Sequence, residues 1–124
     1  MSLSNYLENA LLNHAFGGAA FTQPSGLYLA LFTGAPGEAG GGTEVSGGDY
    51  ARQSFSGSVS GDTFTAETNI DFPAATGSWG TVSHVGIFDA VTSGNLLVYG
   101  ALATSRAIGD GDIYRQSSLT VSLD

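Results

Sequence analysis

The chain has no cysteine and no lysine, and Arg52, Arg106 and Arg115 are its only cationic side chains apart from two histidines. Without cysteine there is no disulfide framework and no thiolate metal site, so core packing and subunit contacts must supply the stability. Without lysine, the run Gly40-Gly41-Gly42-Thr43 cannot serve as a P-loop, which disfavours nucleotide binding. A formal net charge of -8 leaves no basic stripe to follow a phosphate backbone, and nucleic acid is not an expected partner. Nowhere do about eighteen apolar residues run together, and residues 2–16 lack a basic leader. The expectation is a soluble protein with neither membrane span nor secretory signal.

Charge of either sign is scarce as well. Charged residues make up 11% of the chain, well under half of the roughly 25% usual in soluble domains. Strand edges of free monomers are commonly guarded by lysine or inward charge, and this chain has few such guards. Edges or neutral faces are therefore expected to meet neighbouring subunits, in a homo-oligomer or a larger assembly.

What is present is alternation. From Thr63 to Phe72, Phe64, Ala66, Thr68, Ile70 and Phe72 fall on one face, and Thr63, Thr65, Glu67, Asn69 and Asp71 on the other. A one-residue slip would turn both phenylalanines into water at roughly 1.5 to 3 kcal/mol each, so the register is fixed. Further strands are predicted over residues 27–33 (apolar on both faces, hence central), 50–59, 82–89, 96–103 and 119–123, with turns at 60–62, 92–95 and 109–112. Residues 50–59 and 64–72 are expected to form a hairpin. The central strand is expected to lie beneath a helix on one side and a second sheet on the other. The fold class is mainly β: an antiparallel β-sandwich, or a closed barrel, of six to seven strands with one N-terminal α-helix.

That helix is read from Leu3, Leu7, Leu11 and Ala15, one every fourth residue. Ser4 or Asn5 caps its start, Glu8 suits its positive end, and Gly17-Gly18 stops it. Its apolar stripe packs on its own sheet or docks into a neighbour. The 124 residues are read as one domain, with the helix in 1–18, the β-sandwich in 26–124 and a loop at 34–48 in which seven residues are glycine. A connection this long is expected to be mobile or shaped by a partner.

Catalytic patterns are missing. His14 and His84 have no Gly-x-Ser-x-Gly elbow nearby, which argues against a catalytic triad. Glu67, Asp71, Asp89, Asp110 and Asp112 would supply carboxylates for glycoside cleavage, yet outward acids on strands and turns are ordinary in an acidic domain. Asp110-Gly111-Asp112 resembles a calcium-holding turn but lacks the further oxygens and terminal glutamate of an EF-hand, so a plain turn is favoured and no cofactor is expected. Trp79, Tyr28, Tyr50, Tyr99 and Tyr114 suit either a sugar-stacking platform or core and interface anchors; Trp79, set among glycines, reads as a plug at a bend. Arg52 and Arg115 sit in a short echo, Tyr50-Ala51-Arg52-Gln53-Ser54 against Tyr114-Arg115-Gln116-Ser117, and each is expected to pair with a surface acid.

Three segments carry a resemblance: Gly42-Thr43-Glu44-Val45-Ser46-Gly47-Gly48-Asp49-Tyr50-Ala51-Arg52-Gln53, Phe72-Pro73-Ala74-Ala75-Thr76-Gly77-Ser78-Trp79-Gly80-Thr81-Val82, and His84-Val85-Gly86-Ile87-Phe88-Asp89-Ala90 with Gly94-Asn95-Leu96-Leu97. With the opening Leu-Glu-Asn-Ala-Leu-Leu-Asn-His and the closing Leu-Thr-Val-Ser-Leu-Asp, nearly the whole chain is similar to a family of small tailed-bacteriophage virion proteins, usually labelled tail fibre proteins. The resemblance implies a non-enzymatic structural protein of the virion, assembled in the bacterial host cytoplasm with other tail or capsid proteins as partners. Tail or fibre attachment and capsid decoration are its two implied roles; a module binding host glycans is the rival from another class. The residues expected at interfaces are Leu3, Leu7 and Leu11 on the helix, Glu38 and Glu44 in the loop, Trp79, Arg52 and Arg115.

Overall fold

A computed structural model describes residues 1–123; the last residue of the expected domain, Asp124, lies outside them. In chain order the elements are β1 (Ser2–Leu3), α1 (Asn5–Leu12) with a π-helical turn (Asn13–Gly17), β2 (Leu27–Phe32), β3 (Gln53–Phe55), β4 (Gly57–Ser60), β5 (Thr63–Ala66), β6 (Ile70–Asp71), β7 (Gly80–Phe88), β8 (Leu96–Ile108), β9 (Arg115–Gln116) and β10 (Thr120–Ser122). They form a five-stranded sheet in the order β1-β8-β7-β2-β3, a three-stranded sheet β10-β5-β4 and a two-stranded sheet β6-β9. Every pairing is antiparallel. The result is sandwich-like. The sheets keep open edges at β1, β3, β4 and β10, so the closed-barrel alternative is wrong.

The strands are more numerous and shorter than expected because the chain changes sheets in mid-run. Residues 50–59 divide at Ser56: β3 pairs with β2, and β4 with β5. The alternating run divides too, since β5 pairs with β4 and β10 while β6 pairs with β9. Thr68, assigned to the inward face, lies exposed at that corner, whereas Ile70 and Phe72 beyond it are buried. Such corners let one strand serve two layers. The hairpin is β4 with β5, closed by Gly61 and Asp62, with Gly61 at φ 61° where glycine is favoured. Gly57 admits no other residue without movement, because a Cβ there would sit 2.2 Å from the Thr65 carbonyl oxygen.

The main core lies between the sheets. Leu29, Leu31, Val85, Ile87 and Val98 from the large sheet meet Ile70, Phe72, Tyr114 and Leu119, with Leu29 opposite Ile87 and Leu31 opposite Val85. On the other face of the large sheet Ala30, Phe32, Phe88 and Leu96 form a second cluster. β2 is an interior strand as expected, but the helix does not cover it; α1 packs on β8, with an apolar groove between it and the three-stranded sheet. Residues 34–48 are held by the chain itself. Thr33 N donates to Thr43 O, Val45 N to Leu31 O, and Asn5 N at the start of the helix to Glu38 O. Within this segment, a Cβ added at Gly40 would stand 3.7 Å from the Cβ of Leu96 in the second cluster. These bonds tie the segment to β2 and to the start of the helix.

Ser4 caps the helix as the sequence suggests, accepting from Leu7 N at 3.2 Å while its hydroxyl donates to Leu96 O; Leu3, expected on the helix, therefore precedes it and pairs with Val98 as part of β1. Gly18 ends the π-helical turn in the left-handed conformation at φ 84°. No residue of α1 is fully buried, so the helix is anchored at its N-terminal end and leaves much of its length in solvent.

Candidate functional site

Two arrangements stand out: a polar clamp at Arg52 and an apolar face at the helix. Arg52 reaches three segments at once. Its Nε and Nη2 donate to Glu44 Oε2 and Oε1 at 2.9 and 2.8 Å, and its Nη1 donates to the carbonyls of Ala90 and Ser93 at 2.9 and 2.7 Å. The guanidinium lies 3.7 Å from the centroid of Phe88, whose ring stacks with Phe32. Tyr50 completes the set, its hydroxyl donating to Glu44 Oε2 at 2.6 Å and accepting from Leu31 N. Arg52 does pair with an acid, but not at the surface: its side chain is 8% exposed. Glu44 and Arg52, offered as interface residues, thus bind the loop to the turn after β7 within one chain.

Burial alone would push the Glu44 carboxyl up, but the bonds from Arg52 and Tyr50 and the guanidinium charge outweigh it and hold Glu44 below its ordinary value. Burial and the bond to Glu44 push the Tyr50 hydroxyl well above the usual phenol range. A carboxyl depressed in the folded state stabilises fully above its unfolded pKa of about 4.3, and that stability is lost as pH falls through the folded value. Urea midpoints should therefore be level from about pH 7 to pH 5 and fall below about pH 4. With Glu44→Gln the acid limb should be shallower; an unchanged limb would remove Glu44 from the explanation.

Arg115 pairs with Asp71 across β9 and β6 at 2.6 Å, and both side chains are largely in solvent. Trp79 is buried, packed edge-on to Tyr50 and Phe72, with its Nε1–H donating to Gly48 O at 2.9 Å. That placement makes it a plug and removes it from direct contact with a partner. Tyr114 is also buried against Phe72, so Trp79 and Tyr114 belong to the core, with Tyr50 packed against it, while Tyr28 and Tyr99 are half-buried.

Three of the acids weighed for chemistry, Asp71, Asp89 and Asp112, serve local structure. Asp112 Oδ2 accepts from Gly109 N to close its turn, Asp89 accepts from Asn95 N and Nδ2, and Asp71 holds Arg115. Among the described residues no group of three or more potential metal ligands converges. His14 Nδ1 accepts from Phe21 N, folding the segment after the helix back along it.

The helix supplies the unfinished surface. Leu3, Leu7 and Leu11, half-buried, line one wall of a groove of about 280 Å³ whose other walls are Phe64, Val121 and Val59. Val59 is 72% exposed, Leu123 on the rim 46%, and Leu12 beside Leu11 59%. One turn beyond Leu12, Phe16 is 86% exposed. Of the expected interface residues the fold brings Leu3, Leu7 and Leu11 to one groove, sets the Glu38 side chain in solvent near the helix start, and disperses the others. Sequence reading missed Leu12, Phe16 and Val59. The signal was a second apolar row, Leu12 and Phe16 at i, i+4, beside the stripe already counted.

The antiparallel sandwich satisfies its buried polar side chains internally and leaves an apolar groove and several exposed apolar side chains beside the helix. Residues 2–124 match the family model for podophage GP4 fiber I protein gp80, and the chain belongs to that family. It is therefore a phage fibre protein of the virion. No curated protein matches the chain.

Proposed function

We propose that this protein is a non-enzymatic structural subunit, assembled into the phage tail fibre apparatus in the host cytoplasm and attached there through the face made by α1, β4, β5 and β10. The observation that carries this reading is the exposure of the apolar side chains Val59 and Leu123 at the groove and of Leu12 on the adjoining helix surface. Aliphatic and aromatic side chains held open on a rigid scaffold cost solvation in the free chain and gain about 25 cal/mol per Å² when covered. Leu12 and Val59 contribute little to the monomer core, so Leu12→Glu and Val59→Glu should fold with urea midpoints near wild type. Both should be lost from purified particles when they replace the wild-type protein during infection. Normal incorporation of both variants would refute the assignment of this face.

A second reading, attachment to host glycans, is favoured by a cleft of about 430 Å³ between β3 and β6, lined by Gln53, Ser54, Phe55, Ser56, Thr68 and Asn69. Hydroxyl and amide groups beside an aromatic ring suit a sugar. A glycan array should then give signal that Asn69→Ala abolishes; a blank array rejects this reading.

A further inference from the structure

The groove has a polarity that narrows its occupant. Asp62 lines one part of the apolar groove, and Glu8 lies beside Leu3, Leu11 and Leu12 on the adjoining helix surface. Both side chains are exposed, and neither is in an ion pair among the described residues. Arg52 is committed to the clamp and Arg115 to Asp71, while Arg106 is exposed, in no ion pair among the described residues, with its guanidinium 5.3 Å from the Tyr114 ring centroid. A second copy pressed onto this face would bring another chain of formal charge -8, with Arg106 as its one arginine outside an ion pair among the described residues. Like charge at a rim slows association and opposes the wrong partner, while opposite charge steers the right one.

We infer that the occupant of this groove is a segment of a different polypeptide, with a row of apolar side chains flanked by lysine or arginine. This rests on the assembly reading above and adds the chemistry of the partner. The groove is sized for a short row of aliphatic anchors, as when an amphipathic helix lays one face between two walls, and basic residues bordering that row would meet Asp62 and Glu8.

The test uses the full chain and two synthetic helical peptides with the same leucine row, one flanked by lysines and the other by glutamates, with binding read by fluorescence anisotropy. The lysine peptide should bind at least about tenfold more tightly, and its advantage should shrink as salt rises from about 50 to about 300 mM. Val59→Glu should weaken both peptides, and the pair Glu8→Lys with Asp62→Lys should reverse the preference. Equal binding of the two peptides, or no binding of either, would overturn the inference. So would a dimer in sedimentation that Val59→Glu dissociates, because the occupant would then be a second copy. The two readings fail separately: Val59→Glu absent from particles alongside equal peptide binding leaves the assembly face standing and removes only the basic partner. Val59→Glu present in particles removes the face itself.

Discussion

Replacing Arg52 with alanine should cost about 3 to 5 kcal/mol, a large share of the roughly 5 to 15 kcal/mol that holds a domain together. The substitution leaves the Glu44 carboxylate partly buried with only the Tyr50 hydroxyl to meet it, frees the Ala90 and Ser93 carbonyls, and uncovers the ring of Phe88. The penalty comes mainly from the charge left behind. Arg52→Ala together with Glu44→Ala should therefore be less destabilised than the sum of the two single variants, with a coupling of about 1 to 3 kcal/mol in a double-mutant cycle. Arg52→Lys should rescue little, since one ammonium cannot bind both carboxylate oxygens and two carbonyls while stacking on a ring. Additive single effects would mean that the clamp is not a unit.

Trp79→Ala should cost a similar amount, about 3 to 5 kcal/mol, for a different reason. The buried indole packs edge-on to both Tyr50 and Phe72, so its removal leaves a void in the core. Trp79→Phe separates the packing from the hydrogen bond. Gly48 O also accepts from Thr76 N, so losing the indole N–H leaves no orphaned carbonyl, and the phenylalanine variant should lose only about 1 to 2 kcal/mol. Urea unfolding of both variants measures this; equal losses would place the importance of Trp79 in its N–H and not in its volume.

Much of the fold was legible because alternation and capping are local. Leu29 and Leu31, Val85 and Ile87, and the Ser4 cap follow from side-chain period and hydrogen-bonding capacity within a few residues. The sheet changes at Ser56 and around Thr68 were hidden, since a run such as 63–72 keeps its alternation on either side of a corner and nothing local marks the change of partner. Residues 34–48 read as free because glycine signals backbone permissiveness; their anchors are Glu44, Tyr50 and the distant Arg52, which only the folded chain unites.

For the surface the stripe Leu3, Leu7, Leu11 was readable as apolar, but only Leu7 and Leu11 are helical, Leu3 being in β1, and which wall the row faces was not readable. Periodicity gives a direction around the helix axis and no information on what lies there. Val59, on an edge strand, had no helical signature linking it to the groove, and Trp79 looked equally suited to a core and to an interface. Charge was misleading at Arg52, whose solvent exposure sequence could not supply.

Cryo-electron microscopy of the assembled phage particle, at a resolution that traces side chains, bears most directly on the central claim. A neighbouring chain should seat apolar side chains between Leu11 and Val59, with its basic residues near Asp62 and Glu8. A particle in which that groove opens to solvent while the subunit is held by some other surface would contradict it.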